Sequence, residues 1–146
     1  MSRPPAPPAP ALERFLQAQA AVYPTVVAEL RQGHKHSHWM WFIFPQLVGL
    51  ARSATAQKFG IQNLQEARDY LQHPVLGARL RECARLVLTH HHMQAQDILG
   101  SIDALKLRSC ATLFLQASSE PLFREVLTTF YAGEPDALTL DLLRNA

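Results

Sequence analysis

The chain has 146 residues, the length of one ordinary domain, and should bury roughly 70% of its unfolded surface without covalent staples. Hydrophobic residues make up 48%, charged residues 18%, and fourteen Lys and Arg against twelve Asp and Glu leave a net charge of +2. So even a balance argues against a nucleic-acid-binding protein, and the absence of a run of about 18 apolar residues argues against a membrane span. Cys83 and Cys110 match no metal-ligand spacing and fall in apolar helical patterns, which reads as buried thiols in a reducing cytoplasm.

Five prolines in the first ten residues predict an extended, poorly ordered lead over residues 1–11, ahead of a single domain over 12–146. The lead has no apolar core, so it is not read as a secretory signal. Leu12, Phe15, Leu16 and Gln19 open an apolar helical face that runs to Val22. Pro24 starts a second helix to about Arg31, and Gly33 ends it. In "HKHSHWMWFIFPQ", residues 34–46, Ser37 is a candidate N-cap for a short buried helix that Pro45 stops. Ser53 and Thr55 are further candidate caps. Asn63 with Glu66 forms a capping-box pattern that opens a helix through Leu71. His73-Pro74 separates it from a helix with the stripe Leu76, Leu80, Cys83, Ala84, Val87 and Leu88.

Ser101 and Asp103 begin the next helix, with Ile102, Leu105, Leu113 and Phe114 among its apolar positions. Pro121 opens another, striped by Leu122, Phe123, Val126, Leu127 and Phe130, and Gly133 closes it. Pro135 and Asp136 start the last, which carries Leu138, Leu142 and Leu143. No series of alternating, turn-bounded strands appears. The chain therefore reads as all-α, a single compact domain of about seven to eight short helices.

Several clusters carry chemical potential. His34, His36 and His38 would share one side of an extended segment, but no carboxylate or thiol stands nearby to complete a metal site, so loop histidines are expected. His90, His91 and His92 end a long helix, where cations are favoured. No metal and no cofactor is expected. Trp39, Trp41, Phe42 and Phe44 have two readings: hydrophobic core, or a stacking pocket beside Lys35 and His38. Gln46 could hydrogen-bond the edge of a base or amide. Ser53 either caps a helix or faces an anion at its N-terminus.

Lysine is rare here, with only Lys35, Lys58 and Lys106 against eleven arginines. A lysine in so Arg-rich a chain is either a leftover surface cation or one kept for its compact ammonium, which Arg cannot replace. Asp103 and Lys106 are neighbours on one helix face, with Ser109 and Cys110 a turn further on. They form a surface ion pair or a carboxylate tuning a lysine.

The series Lys35, Ser37-His38-Trp39-Met40-Trp41-Phe42-Ile43-Phe44-Pro45-Gln46, followed by "GLARS", "KFGI", "EARDYLQHPVLGARL" and "DALKLRSCATLF", resembles the bacterial and fungal domain-of-unknown-function family DUF1810. The resemblance runs from about Leu12 to Leu143 and implies a compact all-helical fold in a small, stand-alone cytoplasmic protein. Such proteins are sometimes labelled calpastatin, but nothing here resembles a calpain-inhibitory repeat. The resemblance places Lys35, Ser37, His38, Trp39, Trp41, Pro45, Gln46, Ser53, Asp103, Lys106 and Ser109 in the family motif, and leaves His34 and His36 outside it. Cys110-Ala111 stands where the family pattern commonly has Ser-Met. A fainter similarity, in "FLQAQ" and in a Lys-containing helix followed by "LFREVLTTF" and glycine, reaches toward the NADAR proteins, which act on N-glycosidically attached ADP-ribose.

Two functions follow as expectations. In the first, the protein binds or hydrolyses a small nucleotide-like ligand such as an ADP-ribose or NAD derivative. Lys35, His38, Asp103 and Lys106 would be the catalytic set, and Trp39, Trp41, Gln46, Ser53 and Ser109 the ligand-binding set. In the second, it is a non-enzymatic helical module for a protein partner whose identity the sequence leaves unknown.

Overall fold

The computed structural model describes residues 9–145. Among them the helices are α1 (Ala9–Ala20), α2 (Tyr23–Gln32), α3 (Met40–Ile43), α4 (Ala54–Phe59), α5 (Leu64–Gln72), α6 (Leu76–Leu88), α7 (Ala95–Leu99), α8 (Ser101–Ser118), α9 (Pro121–Tyr131) and α10 (Ala137–Arg144). The fold is all-α. No strand forms among the described residues; the one β feature is an isolated parallel bridge between Leu47 and Ile61.

The helices start and stop where local chemistry dictates. Asn63 accepts the Glu66 N–H at 2.9 Å, as the capping pattern predicts. The Glu66 carboxylate, however, folds back onto the Gln62 N–H, one residue before the cap. Ser53 and Asp136 cap α4 and α10 in the same way. Gly33 takes φ 76° after α2, a left-handed conformation that costs glycine nothing.

Two expectations change, the start of the first helix and the role of Ser37. Of the Pro-rich lead, residues 1–8 lie outside the described residues, but the helix already begins at Ala9. Pro10 is tolerated there because the first turn of a helix has no internal partner for its N–H groups. Seven of the ten helices among the described residues run to seven residues or more, in line with the expected seven to eight, while α4 and α7, of six and five residues, are too short to reveal a 3.6-residue period. Ser37 does not cap α3. Its hydroxyl donates instead to the Glu29 carboxylate at 2.6 Å, a charged acceptor stronger than a backbone partner.

α8 is the axis of the molecule. Ala104, Leu107, the run from Ser109 to Leu115 and Ala117 are buried, so its middle is covered on every side, as befits a helix inside a core. α5, α7, α9 and α10 pack around it. α6 rests on α2, α5 and α9, and its start comes so close to α5 that a Cβ on Gly77 would lie 2.1 Å from the Leu71 carbonyl oxygen. Gln19, fully enclosed, donates to the Phe42 carbonyl at 2.7 Å and to the Tyr70 hydroxyl at 3.1 Å, tying α1 to α3 and α5. Both cysteines are free and buried, and burial pushes the Cys83 thiol up to about 12. No helix among the described residues is long and apolar enough to cross a membrane.

The first turns of α8 depart from its buried middle. Ile102 is 71% and Leu105 64% exposed, although both read as apolar helix positions. The helix emerges from the packed interior here, and the site begins at this end.

Candidate functional site

The site is built from the segment between α2 and α3, laid against the start of α8. On α2, Val26, Glu29 and Leu30 are all buried, so a carboxylate sits on the apolar face of the helix. Glu29 collects four donors from the following loop. The His36 and Ser37 backbone N–H groups reach Oε1 at 2.9 and 3.0 Å, the Ser37 hydroxyl reaches Oε2 at 2.6 Å, and the Trp39 indole N–H reaches Oε1 at 2.9 Å. Burial alone would raise its proton affinity. The bonds from Ser37, His36 and Trp39 overcome that and hold the carboxyl at about 2. A buried anion with four hydrogen bonds thus sets the course of residues 36–39.

The same loop is fastened at two further points. The Lys35 N–H donates to the Ile98 carbonyl of α7 at 2.8 Å. The His90 ring packs on Gly33 and pairs with the Leu30 carbonyl at 2.7 Å through Nε2. His90 therefore supports the loop from the end of α6.

So held, Lys35 points its ammonium at Asp103 Oδ2, 2.9 Å away, while Lys106 meets Oδ1 of the same carboxylate at 3.0 Å. Lys35 also donates to the Ser37 carbonyl at 2.6 Å and lies 5.0 Å from the Trp39 ring centre; Lys106 lies 4.4 Å from that of Trp41. Burial raises the Asp103 proton affinity, but hydrogen bonds and charge from the two lysines outweigh it, so the carboxyl is held below its ordinary value. One carboxylate balances two ammonium groups, which leaves local positive charge in the first turn of a long helix whose N-cap, Gly100, offers no side chain to its free N–H groups.

A cleft of about 350 Å³ opens on this cluster, lined by Lys35, His38, Trp41, Asp103 and Lys106 together with residues 99–102. Five of the nine residues expected to act thus share one cavity. The other four stand elsewhere. Trp39 is 1% exposed with its N–H bound to Glu29, so it is core and cannot offer a face for stacking. The Gln46 carbonyl accepts the Ile61 N–H at 2.9 Å beside the short bridge, and the residue lies off the cleft. Ser53 caps α4. Ser109 is buried and returns its hydroxyl to the Leu105 carbonyl at 3.3 Å. Among the described residues, no three His, Cys, Asp or Glu side chains converge in a metal-ligating group.

Sequence reasoning missed Glu29. Its signal was legible, as a charged residue three after Val26 and one before Leu30, on the stripe that faces the core.

Comparison with known proteins extends the same picture. The crystal structure of the conserved hypothetical protein Rv1873 from Mycobacterium tuberculosis superposes with a TM-score of 0.89 and is 48% identical, covering 91% of this chain and 96% of that one. No curated protein matches the sequence. The profile of the family described as "Protein of unknown function (DUF1810)" matches residues 9–143, spanning every helix from α1 to α9 and most of α10. The chain belongs to the DUF1810 family.

Proposed function

We propose that the cleft between residues 35–41 and the start of α8 binds a small phosphate-bearing, nucleotide-like molecule of the ADP-ribose or NAD-derivative class. The observation that carries this reading is Asp103 bridging Lys35 and Lys106 at the wall of a cavity that Trp41 also lines. The lysines divide the work. Lys35, with its side chain 7% exposed, is committed to Asp103 and the Ser37 carbonyl and positions the carboxylate. Lys106 bonds to one acceptor, Asp103, and lies over the Trp41 ring, so its remaining N–H groups meet the phosphate. Trp41, half-buried, supplies a flat apolar surface for a base or pyridine ring.

The same set suits hydrolysis of an N-glycosidic bond. Water adds its oxygen to the glycosidic carbon and releases a proton to solvent, while the departing nitrogen takes a proton from Lys106 or His38. Asp103 stays ionised and stabilises the positive charge that builds on that carbon. Fluorescence titration with AMP, ADP-ribose and NAD tests the binding. The expected result is saturable quenching that Trp41→Phe reduces and Lys106→Ala weakens at least tenfold. No response to any of the three ligands, with no thermal shift, would refute the reading.

A second reading, a non-enzymatic module for a protein partner, draws on the exposed Ile102 and Leu105 beside the cleft. It predicts a stoichiometric complex in pull-downs that Leu105→Gln abolishes, together with silence toward nucleotides.

A further inference from the structure

The lysine cleft has a neighbour across the start of α8. Ser101, in the first turn, lines the lysine cleft and also lines a second cleft of about 390 Å³ on the other side of the helix. That second cavity is walled by Leu105, Phe130 and Tyr131, with Met93 and the α7 segment carrying Gln94 and Gln96 opposite. Its character is different: it contains no lysine, aspartate, glutamate or arginine.

Two of the four large hydrophobic side chains left exposed in the described residues stand between these cavities. Ile102 lines the charged one and Leu105 the uncharged one. Three residues apart on one helix, they lie about 4.5 Å apart along its axis and form a continuous ridge. Each is apolar surface that a ligand lying across the helix start would remove from water. Each cavity alone stands near the low end of the ~300–1,000 Å³ range of small-molecule sites.

We infer that the ligand is bipartite: its anionic part sits against Lys106 in the first cleft, and an apolar or planar part crosses Ser101 and covers Leu105 in the second. The inference deepens the proposed function and rests on it. It states that affinity beyond the phosphate comes from the far side of α8, where the Gln94 and Gln96 side chains, exposed at the rim, are placed to read amide or base edges. Tyr131 is held for this role by its hydroxyl, which donates to the Ala104 carbonyl, so the ring edge of the second cleft is rigid.

Calorimetric titration with inorganic pyrophosphate and with ADP-ribose separates the two halves. Leu105→Gln is the chosen variant, because a side chain 64% exposed is not needed for folding and a neutral replacement leaves the lysine field intact. The expected result is pyrophosphate affinity unchanged within twofold and ADP-ribose affinity lowered about fivefold to tenfold, as loss of one apolar contact predicts. Lys106→Ala weakens both probes. If Leu105→Gln leaves ADP-ribose binding unaltered, or weakens both probes equally, the second subsite is overturned while the phosphate site stands. If ADP-ribose binds the unmodified protein no tighter than pyrophosphate, the ligand is not bipartite. Failure of both probes to bind the unmodified protein removes the phosphate site and this inference with it.

Discussion

Two carboxylates, Glu29 and Asp103, stand on either side of the same loop, and both are held below their ordinary proton affinity. Glu29 is closed. It is 7% exposed, its four partners are neutral donors, and the network links α2 to the loop and to Trp39. Asp103 is open. It has two cationic partners and faces a cavity that Lys106 also lines. A satisfied buried anion fixes geometry, whereas an anion shared between cations at a cavity wall leaves charge available to something that is not protein. The two sites are one device: the closed carboxylate places Lys35, and Lys35 places the open one.

The largest effect that tests this contrast is on stability. Glu29→Ala strips four donors of their acceptor, and the Trp39 N–H is left in the core, at a cost of about 3–4 kcal/mol. Urea unfolding measures it, and a loss below about 1 kcal/mol would mean that the loop holds its course without Glu29. The lysines come next. Lys35→Met should cost about 1–2 kcal/mol, because its ammonium is nearly enclosed and bonds to two acceptors, while Lys106→Met should stay within about 0.5 kcal/mol and act on ligand affinity instead. Equal stability losses would erase the division between a positioning and a contacting lysine.

The smallest effect is in acid. Because both carboxyls bind protons less readily in the folded chain than in the unfolded one, the unfolded chain takes up more protons as the pH drops. Their contribution is complete above the unfolded values near pH ~4 and is lost as the pH falls through the folded ones, which for Glu29 means about 2. Asp103→Asn should make the profile of urea midpoint against pH slightly shallower between about pH 5 and pH 2, since one of the two groups is gone. A steeper profile in that variant would show that the lysines do not hold Asp103 ionised.

Much of this was legible from residue order. Asn63, Gly33, Pro121 and Asp136 act locally, through capping bonds and fixed dihedrals, and each stands at the helix boundary its chemistry predicts. Asp103 and Lys106 were neighbours by helical spacing alone. Glu29 was readable but needed the thought that a charge on an apolar stripe must find partners. Trp39 and Trp41 could not be told apart. They are two residues apart in a segment too short for periodicity, and only packing against Glu29 turns one inward and leaves the other at the cleft.

The sequence by itself determined the all-α class, most helix boundaries and the family, because capping, proline and apolar period act over a few residues. Only the tertiary structure brought Lys35 across 68 positions to Asp103, put a second cleft behind Ser101 and left Ile102 and Leu105 in water. Those outcomes depend on how α2, α7 and α8 pack together, and no local pattern records which side of a helix its neighbours will leave uncovered.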